Sequence, residues 1–177
     1  MSETSAEAIA NPLLKAWQTQ LETPPFAEIK PEHFLPAFEQ AFAAAADFEL
    51  PLTLRGVASS MVFTTGHDLK GDTLPDWGKL AIAGATVAVY MGRSIAAQVA
   101  SRLIEAGLSP DTAVAVVENA SLPHRRLFHG TLADLPSLEE RTELDGPVMT
   151  IIGDAVAGAN FENSTPIAAH RLVRVAA

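Results

Sequence analysis

The chain has 177 residues, 48% of them hydrophobic, a formal net charge of −9 and no cysteine. That length and composition suit a globular domain with a sizeable core, and the acidic balance disfavours phosphate backbones and anionic lipid, so no nucleic-acid or membrane partner is expected. The missing cysteines exclude disulfides, thiolate metal sites and cysteine nucleophiles. No apolar run reaches the roughly 20 residues that span a bilayer, and "MSETSAEAIANPLL" has neither the basic nor the apolar region of a secretory signal. The chain reads as soluble and cytoplasmic.

Residues 1–48 read as a helical, proline-rich N-terminal appendage. "NPLLKAW" suits a short helix or turn, and "TPPFAEIKPEHFLPAFEQAFAAAA" an extended proline segment followed by a helix, with Pro31 in its first turn. Phe34, Leu35, Phe38 and Phe42 recur at helical spacing, giving one apolar stripe that must dock against the rest of the chain or a partner. Residues 49–160 alternate strand-like and helix-like runs, β-α-β-α-β-β-α-β. This is an α/β fold: a mixed sheet with flanking helices. "SSMVFTT" is a strand, "WGKLAIAG" a short helix capped by Gly84, "ATVAVYMG" a strand, and "SIAAQVASRLIEAG" a helix ending at Gly107. Ile95, Val99, Leu103 and Ile104 form that helix's apolar face. "TAVAVVENA" and "RRLFHGTL" are strands, "ADLPSLEERTEL" a short polar helix, and "GPVMTIIGDAVAG" a last strand; residues 161–177 read as a tail.

Strand ends carry the candidate chemistry. Thr65-Gly66-His67, Tyr90-Met91-Gly92, Glu118-Asn119-Ala120 and Gly153-Asp154 each close a strand with small or polar groups, and ligands of open α/β sheets sit beyond the strands' carboxyl ends. Gly92 would allow close approach to the backbone. Met91 would offer a polarizable surface, and the helix beginning near Ser94 presents free N–H groups. On spacing alone, a tight turn is the stronger account of Gly92, and a plug of the sheet top that of Met91. His67 is a candidate base or ligand contact beside a turn-rich loop. His124 and His129 flank Arg125 and Arg126, a candidate anion cluster or a solvated strand edge. Asp68 and Asp72 match no metal loop, and Glu32-His33 is not an HExxH helix. The chain has no GxGxxG, Walker or GxSxG motif.

The stretches "PLTLRGVASSMVFTTGHD", "ATVAVYMGRS", "AGLSPDTAVAVVENAS", "RRLFHGTLADL" and "VMTIIGDAVA" together resemble, in order and spacing, the C-terminal half of C-methyltransferases of the tetrapyrrole methylase family. The resemblance implies S-adenosyl-L-methionine as methyl donor and uroporphyrinogen III as acceptor, on the way to precorrin-2, siroheme and cobalamin, in a homodimer. It implies donor contacts at Met91, Gly92, Ala120, Gly130, Thr131 and Leu132. Thr53-Leu54-Arg55-Gly56 stands where the family has Thr-His-Arg-Gly facing the tetrapyrrole, which leaves Thr53 and Arg55 as acceptor contacts; a guanidinium pairs bidentately with carboxylates. The family's first-domain glycine-rich loop and its proposed acid and base are absent, so the resemblance assigns no catalytic residue and the chain is expected to be incomplete, with little turnover by itself or a role as a non-catalytic oligomerising module. The stretch up to Ala46 ("NPLL", "PPFAEIKPEHFLPAFEQAF") resembles instead the N-terminus of oligopeptidase A-like zinc peptidases, without any of their zinc ligands.

Overall fold

A computed structural model describes residues 28, 34–65, 76–90 and 93–168. In chain order its elements are α1 (Phe34–Asp47), β1 (Met61–Thr65), α2 (Asp76–Ile82), β2 (Thr86–Tyr90), a 3-10 turn (Arg93–Ile95) leading into α3 (Ala96–Glu105), β3 (Ala113–Glu118), β4 (Arg126–Thr131), a 3-10 helix (Leu132–Leu138), β5 (Val148–Ile152), a second 3-10 helix (Asp154–Gly158) and β6 (Thr165–Pro166). The fold is α/β with a mixed sheet, as the alternating pattern predicts.

The six strands run in the order β1-β2-β5-β3-β4-β6. β1 and β2 are parallel, joined by a crossover through α2, and β4 and β6 are parallel; the β2–β5, β5–β3 and β3–β4 pairs are antiparallel. β2 and β5 are buried at every position, so neither shows polar alternation.

Side chains still alternate across the sheet. Val87, Val89, Val114, Val116, Val148 and Ile152 pack on one face with Trp77 of α2 and with Ala96, Val99, Ala100 and Leu103 of α3. Ile95 and Ile104 flank that helical stripe, half-buried. Gly107 (φ +109°) closes α3 in the left-handed region, where the Gly107 and Leu108 N–H groups donate to Ile104 and Leu103 carbonyls at 2.9 Å. Ala88, Tyr90, Ala115, Val117, Met149 and Ile151 form the other face, covered by α1, Phe48 and Leu50.

Three elements depart from expectation. On α1, Ala41, Ala44 and Ala45 are buried, whereas Phe42 of the expected stripe is 47% exposed and stands edge-on to Phe63, ring centroids 5.4 Å apart. Ala88 and Ala115 of the sheet belong to the same buried cluster as these alanines. Among the stripe residues, the side chains of Phe34, Leu35 and Phe38 lie outside the described set, as does Pro31. The "ADLPSLEERTEL" stretch is not a polar helix; Leu132, Leu135 and Leu138 recur every third residue and are all buried, the spacing a 3-10 helix stacks on one side. Within the expected tail, residues 165–166 add a sixth strand and Ile167 is buried. Arg141 holds that strand: its guanidinium donates to the Pro166 and Ile167 carbonyls at 2.6 and 2.9 Å and lies 4.7 Å from the Phe128 ring centre.

Candidate functional site

Strand direction decides which candidate residues can meet. Tyr90 is paired with Thr65 and with Met149, and Met149 with Val117. The carboxyl ends of β1, β2 and β3 therefore lie along one edge of the sheet. Tyr90, Met149 and Ala120 belong to one apolar cluster there, each less than a tenth exposed. Met91, Gly92, His67, Asp68, Asp72 and His33 lie outside the described residues. Burial pushes the Tyr90 phenol above its usual range, so it stays protonated through neutral pH.

Two expected members of this edge are elsewhere. Gly153-Asp154 follows β5, which is antiparallel to β2 and β3, so it lies at the opposite edge. Gly130-Thr131-Leu132 does too, because β4 is antiparallel to β3 and Gly130 is paired with Val114. Along β3 alone, the four steps from Val114 to Glu118 put about 13 Å between these positions, at roughly 3.3 Å per strand residue. Local structure accounts for all three. A Cβ on Gly130 would come 3.0 Å from Asp134 Oδ2. The Thr131 N–H and hydroxyl both donate to that same oxygen, at 2.9 and 2.8 Å, and cap the 3-10 helix. Leu132 is fully buried on the α3 face. Thr53 and Arg55 sit exposed on a turn closed by the Leu54–Ala58 bridge. That turn lies near the beginnings of β1 and β2, since a Cβ on Gly84 would come 3.7 Å from the Val57 carbonyl.

The edge that holds Ala120 is built around a residue that motif reading passes over. Glu118, the last residue of β3, has no exposed surface. One carboxylate oxygen accepts from Arg126 Nε, and the other from the Asp145 and Gly146 N–H groups, each at 2.8 Å. Burial by itself would raise the Glu118 pKa, but the guanidinium and the two backbone donors outweigh it and hold the carboxyl below its ordinary range. The signal in the sequence was an acid ending an otherwise apolar strand. Asn119 (φ +54°) and Ser121 (φ +65°) follow in the left-handed region, on either side of Ala120.

The β4–β5 connection is clamped against this edge. Asn119 N–H donates to the Pro147 carbonyl at 3.0 Å. Arg93 donates to the Leu144 and Arg141 carbonyls, both at 2.7 Å. Glu139 accepts from Ala97 N–H at 2.7 Å and thereby caps α3 from outside the helix. Gly146 lies against Asn119, where an added Cβ would come 2.1 Å from Oδ1 and 2.6 Å from Cγ. Gly146→Ala is therefore expected to cost about 2 kcal/mol in chemical denaturation, since the whole Asn119 side chain must move. A loss under about 0.5 kcal/mol would show that the contact relaxes freely.

Three members of the basic cluster are already paired, while His124 is exposed. Arg125 is held by Asp47 at 3.0 Å, Arg126 by Glu118, and His129 Nδ1 meets Ser164 Oγ at 2.7 Å. Arg125 and Arg126 line a shallow hollow with Leu127 and Asn163, so that hollow offers no guanidinium without a carboxylate partner. Among the described residues, no three His, Asp or Glu side chains are placed to hold a metal ion, and no helix is long and apolar enough to cross a membrane.

Comparison with known proteins places this geometry in a family. The profile of the Tetrapyrrole (Corrin/Porphyrin) Methylases matches residues 28–136. A uroporphyrinogen-III C-methyltransferase of Pseudomonas fluorescens is 37% identical over 127 residues, covering 72% of this chain and 51% of that protein. A siroheme synthase of Gluconacetobacter diazotrophicus is also 37% identical over 127 residues, covering 71% of this chain but 27% of that protein. The matched part is thus about half the length of the one relative and about a quarter of the other. In three dimensions, uroporphyrin-III C-methyl transferase from Thermus thermophilus, solved with S-adenyl homocysteine, superposes with a TM-score of 0.52 at 28% identity, over 72% of this chain and 60% of that one. The family match spans residues 28–136, so it takes in α1 and strands β1 to β4 but stops before β5 and β6. The chain belongs to the tetrapyrrole methylases.

Proposed function

We propose that this chain supplies one wall of an S-adenosyl-L-methionine site, and that the site serves C-methylation of uroporphyrinogen III toward precorrin-2, the step that feeds siroheme and cobalamin. The carrying observation is the shared edge at the carboxyl ends of β2 and β3, where Tyr90, Met149 and Ala120 form one apolar cluster. The fit is chemical. An adenosyl thioether asks for a small, uncharged wall; Ala120 is small, and the nearby Glu118 charge is turned into its own ion pair. In this reading Met91, Gly92 and Ala120 hold the donor. Gly130, Thr131 and Leu132, at the other edge, support the fold. Thr53 and Arg55 remain acceptor contacts only for a ligand or second chain that reaches the turn before β1.

When bound, the donor supplies an activated methyl group and its own leaving group. The chain's residues orient that group and exclude water. Carbon methylation needs donor and acceptor within near-attack distance. A chain matching about half of a methyltransferase is expected to bind donor but turn over little without a complementary chain or domain. The uroporphyrinogen carboxylates, the cytoplasmic location, the homodimer and the peptidase-like origin of the stretch up to Ala46 belong to the same proposal. The second reading, an oligomerising module, draws on exposed apolar residues: Leu54, Val57, Leu80 and Ile82 are each about 40% exposed or more. Calorimetric titration with S-adenosylhomocysteine separates the two. Binding that Met91→Ala weakens about tenfold, equivalent to one good thioether contact, supports the donor reading. Absence of binding by the unaltered chain, together with concentration-dependent assembly in light scattering, would favour the module.

A further inference from the structure

We propose that Asp47, the last residue of α1, is a positioning residue that fixes the shape of the Asn119–Ser121 loop and through it the Ala120 wall. In its consequence for ligand affinity, this inference rests on the donor reading above. Asp47 stands at the carboxyl end of a helix, where a negative charge opposes the helix dipole and weakens its own element. Its carboxylate is satisfied by the loop beyond β3 instead. Oδ2 accepts from the Ser121 N–H at 3.0 Å, and Oδ1 pairs with Arg125 Nε at 3.0 Å. The side chain is only 14% exposed, so it is held between α1 and that loop.

The loop needs holding. Asn119 and Ser121 both have positive φ, and neither is glycine. Such conformations cost of order 1 kcal/mol each and persist where surrounding contacts over-determine them. On one side the loop is tied by Asn119 N–H to Pro147 and closed internally by Leu122 N–H to Asn119, both at 3.0 Å. On the other side the Asp47 carboxylate is the tie, and it binds at two points, the backbone of Ser121 and the side chain of Arg125. Ala120 lies between them, buried with Ala41, Ala44 and Ala45 of the same helix. Helix α1 and the loop are therefore joined by the two Asp47 contacts and by shared apolar burial. A segment that reads in sequence as an appendage then controls a wall of the site.

The test uses the full chain and two variants. Asp47→Asn keeps a carbonyl acceptor for the Ser121 N–H; Asp47→Ala keeps none. Amide hydrogen exchange by NMR reads the clasp, and calorimetric affinity for S-adenosylhomocysteine reads the wall. In Asp47→Ala, Ser121 protection is expected to fall at least tenfold and affinity about tenfold, one charge-assisted hydrogen bond's worth; Asp47→Asn is expected to stay within about threefold of the unaltered chain on both measures. Leu103→Ala, which opens a cavity under α3 on the opposite face of the sheet from α1, serves as a thermal control that lowers the melting temperature and leaves affinity alone. Unchanged Ser121 exchange in Asp47→Ala overturns the proposal, as does lost protection with unchanged affinity. An affinity loss in Leu103→Ala as large as in Asp47→Ala overturns it too, because general destabilisation would then suffice. If the unaltered chain binds no S-adenosylhomocysteine, the donor reading fails, and Ser121 exchange alone upholds or overturns the clasp.

Discussion

Glu118→Ala is expected to lower the unfolding free energy by about 3 kcal/mol, because it strips a buried carboxylate from partners arranged around it. The Asp145 and Gly146 N–H groups would lose the carboxylate oxygen they share, in a place where Glu118 itself has no exposed surface. Arg126 is 37% exposed and still reaches the Glu143 carbonyl at 2.5 Å, so most of the loss comes from the backbone donors. Urea denaturation with an unchanged m-value checks this, and a loss below about 1 kcal/mol would mean that water replaces the carboxylate freely. The same group sets a pH dependence. Its carboxyl is held below the ordinary value of 4.5 in the folded chain. Its stabilisation is thus complete above about pH 4.5 and is lost as pH falls through the lowered folded value, where the unfolded chain binds the proton first. Glu118→Gln should flatten that part of the acid limb of the stability curve; an unchanged limb would place the acid sensitivity elsewhere.

Phe48→Ala should cost about 3 to 4 kcal/mol and loosen α1 from the sheet. The ring has no exposed surface and stands edge-on to Phe161, with centroids 5.7 Å apart. Removing it leaves a cavity between the end of α1 and the chain that follows β5. The Phe48 carbonyl would still accept from Asn160 N–H, so the backbone route is retained while the packing is lost. Limited proteolysis reports the consequence: cleavage within 34–47 should accelerate together with global unfolding. A cost under about 1 kcal/mol with early cleavage of α1 alone would make that helix a separable arm.

Much of the fold was legible residue by residue. Buried β-branched runs marked β2, β3 and β5; the i, i+4, i+8 spacing of Ile95, Val99 and Leu103 marked α3; Gly84 and Gly107 marked helix ends, each at positive φ. These signals are local, since they record which side of a single element is dry or where a backbone needs the left-handed region. Much of the site was not legible. Glu118 carries no motif, and its importance comes from Arg126 and from residues 145–146 far along the chain. The alanines of α1 carry little sequence signal, because small side chains give weak hydropathy contrast. They are buried in one cluster with Ala88 and Ala115 of the sheet.

From the sequence by itself came the order of strands and helices, their approximate ends, the absence of thiol chemistry and the motifs of a methylase. Strand direction and neighbourhood came only from the tertiary structure. A five-residue buried run looks the same whether its partner runs parallel or antiparallel, because side-chain alternation does not depend on direction. Pairing in the order β1-β2-β5-β3-β4-β6 sends Ala120 to one edge of the sheet, and Gly130-Thr131-Leu132 and Gly153-Asp154 to the other. That separation is set by long-range hydrogen bonds between strands, which no single stretch of chain encodes.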